Sequence, residues 1–239
     1  ASTGGGDGIN DTSSLTGIYK ETISVNDPVY SIWVPAVSFD ILDDPATLPM
    51  ININSHDADA NNTTISLTST TSPYLATYKR VGDTFTRLTM PTMNRYGYSS
   101  ALNSTGNLVV LPHSLSPYIT IFYRSGDSFV AYGAGTPSVT PTSVGYACKY
   151  SNDDAYFVIG NGSSPFISIY KGFTKLANPS TLPPGASWSV SWSSDDIYLV
   201  IGSSVSPYLT IYKRSGDTFT KLANPATLPP GAIWGQEFS

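Results

Sequence analysis

The chain has 239 residues, of which 12% are charged, and its formal net charge is −5 at pH 7. Charged residues make up about 25% of a typical soluble protein, so this surface is unusually poor in charge. Lysine and arginine contacts to phosphate dominate nucleic-acid affinity, and this acidic chain is predicted not to bind nucleic acid. No apolar stretch is long enough to predict a membrane span.

The first 15 residues contain the run Gly4-Gly5-Gly6 and precede the first recognisable strand. Glycine- and serine-rich segments behave as flexible coil, so residues 1–15 are predicted to form an arm or linker. The single domain that is predicted to follow, residues 16–239, is built from one repeat.

A serine–proline pair followed by an aromatic residue marks the repeat. The prolines of its four clear copies are Pro73, Pro117, Pro165 and Pro207, and Pro28 marks a weaker first copy. Successive prolines are 45, 44, 48 and 42 residues apart. These intervals lie near the period of about 40–45 residues that is typical of a four-stranded propeller blade.

The two ends of the chain complement each other. Pro207 is followed by 32 residues, and the last of these, 231–239, match the start of the preceding unit at 185–193. The strand that should come next matches residues 18–19, which lie ten residues before Pro28. Because a closed ring has no open sheet edge, we predict an all-β, five-bladed β-propeller with four antiparallel strands per blade. The C-terminal strand is expected to close the ring by joining the N-terminal blade.

The repeat also assigns the blades and their strands. Blade 1 is predicted to comprise 16–49 and 231–239, and blades 2 to 5 are predicted over 50–93, 94–142, 143–184 and 185–230. Within blade 5, apolar runs and turn residues predict strands over 188–192, 197–201, 208–212 and 218–222. Gly216 is predicted to supply the positive φ of the last hairpin. Blade 2 differs by a longer first turn, which is predicted over 55–62.

The antiparallel order of the strands sorts the loops onto two faces. The turns between the first and second strands, and between the third and fourth strands, share a charged face with aspartates such as Asp195 and Asp196. The remaining loops share the other face, which holds most of the prolines and leucines such as Leu228. We call it the proline-rich face and expect a flat partner to dock there, because exposed apolar patches mark interaction sites.

The clearest copies of the repeat read SPYLTIYKRSGD at 206–217 and SPYLATYKRVGD at 72–83. This motif, with the segment NPATLPPG that follows it at 224–231, resembles a WD40-like repeat of predicted bacteriophage and prophage proteins. The resemblance is close over 163–239 and weaker over 18–162. It implies a propeller protein of the virion, an extracellular particle, or of its tail, and it implies no catalytic residue. The Gly-His and Trp-Asp pairs of eukaryotic WD40 repeats do not occur in the sequence.

The acidic residues do not suggest a catalytic pair. A glycosidase needs two carboxylates that face one sugar bond, whereas most aspartates here recur at the same turn positions, which favours a structural role. Glu21 and Glu237, the two glutamates of the chain, are expected on neighbouring strands of blade 1 as a rim pair. We therefore predict that the protein is not an enzyme, with a glycoside hydrolase as the least favoured alternative.

No metal site or cofactor is predicted. His56 and His113 lie in different units without a cysteine or acid at metal-ligand spacing, and they are expected to be solvated turn residues. The segment 57–61 opens like a calcium loop but lacks its central glycine, and Thr68 stands in place of the bidentate acid. Cys148 lies in an apolar pattern and is expected to be a buried, inert thiol.

Four aromatic residues are predicted to occupy equivalent positions early in the first strand of their units. They are Tyr98, Tyr146, Trp188 and Trp234, with Met50 at that position in blade 2. In a ring they would form a belt around the central channel at its proline-rich mouth. Aromatic faces suit sugars and peptides, so these residues are candidates for ligand binding. The alternative is that they pack between blades.

The repeat and the low charge favour a non-enzymatic structural protein of a phage particle. Such a decoration, collar or tail-associated module would contact other virion proteins and self-associate or assemble in many copies, since charge depletion is typical of interface cores. An alternative is a propeller that binds a host-surface glycan during attachment. The low charge has an alternative explanation. Serine and threonine replace charged residues on the strands, and they suit β-strands in their own right.

Overall fold

The structure is a computed structural model that describes residues 53–69, 72–133 and 137–236. This part of the chain is all-β, as predicted, and forms four four-stranded sheets. In each sheet the strands follow chain order and neighbouring strands are antiparallel. The predicted arm, 1–15, and the N-terminal part of blade 1, 16–49, lie outside the described residues.

The four sheets are numbered in chain order. The first contains β1 (Ile53–Ala58), β2 (Thr64–Ser69), β3 (Leu75–Val81) and β4 (Thr84–Arg87). The second contains β5 (Ala101–Leu102), β6 (Leu108–Pro112), β7 (Ile119–Ser125) and β8 (Ser128–Ala131). The third contains β9 (Gly145–Tyr150), β10 (Tyr156–Asn161), β11 (Ile167–Lys171) and β12 (Thr174–Lys175). The fourth contains β13 (Ser187–Trp192), β14 (Tyr198–Ser203), β15 (Leu209–Ser215) and β16 (Thr218–Lys221).

The fourth sheet confirms the strands predicted in the last unit of the repeat. Strand β15 is longer than expected because its ladder with β16 continues through Arg214 and Ser215 as far as the turn. Gly216 has a φ of 57°, so it supplies the positive φ of this hairpin, as predicted.

The first turn of the first sheet is shorter than predicted, because β1 continues to Ala58. His56, which was expected in the turn, lies within the strand and pairs with β2. The turn begins at Asp59, whose carboxylate accepts hydrogen bonds from the Thr63 amide and hydroxyl, each at 2.6 Å. An aspartate side chain that bonds to the backbone of its own turn favours chain reversal at this point.

The second and third strands of each sheet are joined through a serine–proline peptide in the cis form. The aromatic residue that follows has a positive φ: Tyr74 (63°), Tyr118 (67°), Phe166 (62°) and Tyr208 (64°). Its carbonyl accepts a hydrogen bond from the end of the second strand, as in the 2.8 Å bond from Ser203 N to Tyr208 O. Four loops of one design therefore lie on the proline-rich face.

The apolar core lies between the sheets. Each of three clusters contains residues of two consecutive sheets, for example Leu75 with Phe122, Ile121 with Phe157, and Val158 with Leu199. The first strands of successive sheets are adjacent, since β5 contacts β1 and β9, and β9 contacts β13. Sheets that pack in sequence with their first strands gathered at one side have the arrangement of successive propeller blades.

Candidate functional site

The candidate ligand-binding aromatics lie at irregular points of the first strands. The pairing of β9 with β10 skips Tyr146, and the pairing of β13 with β14 skips Trp188, so each is an extra residue in its strand. Tyr98 lies at the corresponding place in the second sheet, directly after the isolated bridge between Gly97 and His113. A β-bulge re-aims its side chain out of the regular alternation, which is how a first strand can direct a large ring away from the core.

The first sheet has Asn54, not Met50, at this position. The pairing of β1 with β2 skips Asn54 between Ile53 and Ser55 in the same way. The assignment of Met50 was wrong because the turn after β1 is shorter than predicted, which moves the strand toward the C-terminus. Met50 itself lies outside the described residues.

The structure brings the four aromatics together as two pairs. Tyr98 and Tyr146 make an edge-to-face contact with ring centroids 5.1 Å apart. Trp188 and Trp234 stack, with centroids 3.7 Å apart and planes 18° from parallel. Trp234 is 72% exposed, whereas the other three are half-buried. Most of the Trp234 side chain is therefore accessible to a ligand, and the binding role of all four stays a prediction.

Residues 231–236 hold Trp234 against the fourth sheet. The Gln236 side chain donates from Nε2 to the Val200 carbonyl oxygen at 2.7 Å. Its Oε1 accepts from Ser189 Oγ at 2.9 Å. Because Val200 lies in β14 and Ser189 in β13, one side chain ties the segment to two strands.

The same segment contacts the fourth sheet in the way that β13 contacts the third sheet. Gly160 in β10 lies so close to the next sheet that an added Cβ would be 2.5 Å from the Ser187 carbonyl oxygen. Gly202 occupies the same place in β14, and an added Cβ there would be 2.7 Å from Ile233. The chain that follows the fourth sheet therefore repeats the contact that joins the third sheet to the fourth.

The aspartates of the first turns bond to the preceding sheet, which supports the structural role predicted for them. The buried Asp196 carboxylate accepts from the backbone amides of Asn152 and Asp153, at 2.8 and 2.9 Å. Asp154 reaches back in the same way to Ser104, whose amide and hydroxyl donate to its carboxylate at 2.8 and 2.5 Å. These two carboxylates are occupied within the fold, unlike the paired acids that face a sugar bond in a glycosidase.

The hairpin aspartates also join neighbouring sheets. Asp217 accepts from Tyr156 Oη at 2.5 Å and pairs with Lys171 Nζ at 2.9 Å. Asp127 pairs with Lys79 Nζ at 3.0 Å. Hydrogen bonds from Tyr156 and Lys171 lower the pKa of Asp217, and a hydrogen bond from Lys79 lowers the pKa of Asp127. In both pairs the acid belongs to the sheet that follows the lysine's sheet.

The junction between the second and third sheets has aromatic contacts in place of this ion pair. Tyr123 lies in the third strand of the second sheet and pairs with Leu108, the first residue of the second strand. Lys79 and Lys171 occupy the same ladder position in the first and third sheets. Tyr132 contacts both Tyr123 and Phe173 edge-to-face, with centroids 5.3 and 5.0 Å apart. The residues of this cluster do not recur in the other units of the repeat. The short hairpin at Phe173 is the one sequence feature that could have predicted the cluster.

His113 is buried, so the prediction of a solvated turn residue was wrong. It is 0% exposed directly after β6, and burial followed by the positive charge of Arg95 lowers its pKa to about 4. Its Nε2 lies 3.1 Å from Thr120 Oγ1. The corresponding residues at the ends of the other second strands are also buried and polar: Ser69, Asn161 and Ser203. The position is therefore structural, and the packing of neighbouring elements excludes water from it.

Among the described residues, the remaining candidates for chemistry give no site. Cys148 is a buried free thiol, as predicted. Within 53–69, 72–133 and 137–236, no group of three or more histidine, cysteine or acidic side chains could hold a metal ion. The same ranges contain no helix long and apolar enough to cross a membrane. Glu21 and Glu237, the predicted rim pair, lie outside the described residues.

No protein-family model matches the sequence, and no curated protein matches it. Solved structures do match the fold. Hydrazine synthase of Kuenenia stuttgartiensis aligns with a TM-score of 0.57 and 10% identity, over 82% of this chain and 53% of that one. A nidogen/laminin complex gives a TM-score of 0.54 and 12% identity, over 72% and 67% of the two chains. A functionally unknown protein from Desulfotomaculum acetoxidans DSM 771 gives 0.57 and 12%, over 72% and 55%.

Identities of 10 to 12% show the fold alone. The chain spans about half the length of the hydrazine synthase chain that it matches. Hydrazine synthase and nidogen contain propeller-type folds, and the four sheets described here follow that architecture. The protein therefore has an all-β, propeller-type fold.

Lys171→Met should raise the pKa of the Asp217 carboxyl toward its ordinary value of 3.8, because it removes one of the two hydrogen bonds that lower it. A carboxyl whose pKa falls on folding stabilises the folded state above its unfolded pKa, and this contribution disappears as the pH drops through the folded value. The variant should therefore lose less stability on acidification. An NMR titration of the side-chain carboxyl between about pH 2 and about pH 6 measures the shift. Lys213→Met, which changes the corresponding lysine of the fourth sheet, is the control, and equal Asp217 pKa values in both variants would contradict the pairing.

Proposed function

We propose that the protein is a non-enzymatic structural protein of a phage particle, a decoration, collar or tail-associated module that works through protein–protein contacts. The observation that supports it is the distribution of exposed apolar side chains. The described residues expose eleven large hydrophobic side chains. Six of them lie on loops of the proline-rich face: Tyr96, Leu115, Val139, Val205, Leu228 and Trp234.

On the opposite, charged face, acidic side chains make contacts that stabilise the fold. Asp196 and Asp217 are bonded to the preceding sheet, so these acids hold the protein together. Apolar side chains gathered on one face mark an interaction surface, and depletion of charge is typical of the centre of such a surface. The phage particle as the setting rests on the resemblance of the repeat.

The proposal includes a closed ring of five blades. The contacts of residues 231–236 with the fourth sheet support this closure. In the ring, this segment would supply the first strand of a fifth blade and the N-terminal segment from residue 16 would supply its other strands. A ring closed in this way leaves no sheet edge exposed to unwanted pairing.

Deletion of 231–239 should lower the melting temperature, because the Gln236 hydrogen bonds and the stacking of Trp188 on Trp234 are lost. We expect a fall of more than about 4 °C, since about 1 kcal/mol shifts the melting temperature of a domain of this size by about 2–4 °C. Deletion of 1–12 is the control and should leave it unchanged. Calorimetry that finds the two deletions equivalent would count against closure.

The docking surface is tested by a triple variant, Leu115→Ser, Val205→Ser and Leu228→Ser. We expect the intact protein to self-associate as its concentration rises, and the variant to need at least a tenfold higher concentration, which corresponds to about 1.4 kcal/mol. Sedimentation velocity over a concentration series measures this. Val81→Ser with Ile197→Ser removes exposed apolar groups from the charged face and should have no effect. A wild-type protein that stays monomeric, or a triple variant that associates normally, would argue against the proline-rich face as the interface.

A second candidate function is glycan binding at the channel mouth, favoured by the exposed ring of Trp234 stacked on Trp188. Aromatic side chains with an accessible surface provide a large contact area for a ligand at low conformational cost. Trp234→Ala should abolish array binding of the glycans that the channel mouth holds, whereas Tyr96→Ala, which removes another exposed ring of the same face, should retain it. A wild-type protein that binds no glycan on a broad array would remove this candidate.

A further inference from the structure

The outer end of the junction between the second and third sheets departs from the repeat at Tyr132. The Tyr132 amide donates to the Ile121 carbonyl at 2.7 Å, and the corresponding hydrogen bonds of the other sheets come from leucines: Leu88, Leu176 and Leu222. Leu88 is 2% exposed, whereas Tyr132 is 40% exposed. Leu176 and Leu222 are half-buried. Because a leucine removed from water stabilises the fold, packing alone does not account for an exposed tyrosine at this position.

Tyr123 is the second departure, and it stands where the neighbouring sheets have a lysine. It is also 40% exposed, and Val130, its partner across the ladder of β7 and β8, is 41% exposed. Two tyrosine rings and an aliphatic side chain therefore form a neutral surface where the next junction carries the ion pair of Lys171 with Asp217.

The short hairpin of the third sheet is the third departure. Only residues 172 and 173 separate the paired Lys171 and Thr174, whereas residues 214–219 separate the corresponding pair in the fourth sheet. A hairpin as long as that of the fourth sheet would extend past the rings of Tyr123 and Tyr132. The shorter hairpin of the third sheet leaves both rings accessible. Phe173 packs against the core of the junction and contacts Tyr132, so it anchors one end of a continuous series of three rings.

We propose that this rim site, formed by Tyr123, Tyr132 and Phe173, binds a neutral carbohydrate. The C–H faces of a sugar ring pack on aromatic rings, and the tyrosine hydroxyls can exchange hydrogen bonds with sugar hydroxyls. A stable protein interface needs about 1,000 Å² of complementary surface, which is more than three side chains provide. The size and neutrality of the site therefore favour a saccharide. This inference does not depend on the virion role or on the channel mouth.

The experiment titrates four neutral oligosaccharides, cellohexaose, maltohexaose, xylohexaose and mannohexaose, into the full chain and follows binding by calorimetry and by saturation-transfer NMR. Tyr132→Leu and Tyr123→Lys are the test variants. Each restores a residue that the repeat uses at that position in other sheets, so both should fold, and their melting temperatures verify it. We expect the wild type to bind at least one oligosaccharide and each variant to bind it at least tenfold more weakly. Tyr96→Ala, which removes an exposed ring that belongs to neither site, should leave this binding unchanged, and Trp234→Ala tests whether the ligand is held at the channel mouth instead.

Three outcomes would overturn the rim site. They are failure of all four oligosaccharides to bind, unchanged affinity in both tyrosine variants, and loss of binding in Trp234→Ala, which would place the ligand at the channel mouth. Self-association that disappears in Tyr132→Leu would instead make the rings a contact between two copies of the chain, and it would also refute the saccharide.

Discussion

Packing of each sheet between neighbouring sheets is the interaction on which the rest of this structure depends. Strand β10 shows it most clearly, because all six of its residues are buried, and a strand with apolar groups on both faces needs a cover on each side. The three apolar clusters each join two sheets, so no unit completes its own core. A succession of similar sheets meets this need, since a repeat unit that cannot bury its apolar face alone is covered by its neighbours.

Polar contacts strengthen the same junctions. Asp196 and Asp217 bond to the sheet before their own, and Asp154 does the same one unit earlier. The hydrogen bonds of these three carboxylates are therefore made within the fold. In a chain with so few charges, this use of the aspartates supports the proposals that rest on aromatic and apolar side chains.

The repeat made much of this architecture predictable, because strands, turns and faces recur with one spacing. Gly216 and the strands of the last unit are examples. Features that depend on a partner strand or sheet were not predictable. The bulges at Tyr146 and Trp188 exist only in the pairing with the second strand, and His113 is buried because neighbouring elements cover it. Met50 was misassigned for the same reason, since the length of the first turn is set by the ladder that precedes Asp59.

Departures from the repeat are therefore the most informative positions in this protein. A residue that recurs at one place in each unit is explained by the packing that recurs with it, as Leu88 and its counterparts are. Tyr132 breaks that pattern at the cost of burial, and Trp234 is 72% exposed on a segment that is otherwise fixed to β13 and β14. Large exposed rings do not stabilise a fold in proportion to their size, because much of their apolar surface stays in water. Their presence on a scaffold whose described acids bond mainly within the fold supports the two proposals that place recognition on aromatic surfaces, at the rim and at the channel mouth.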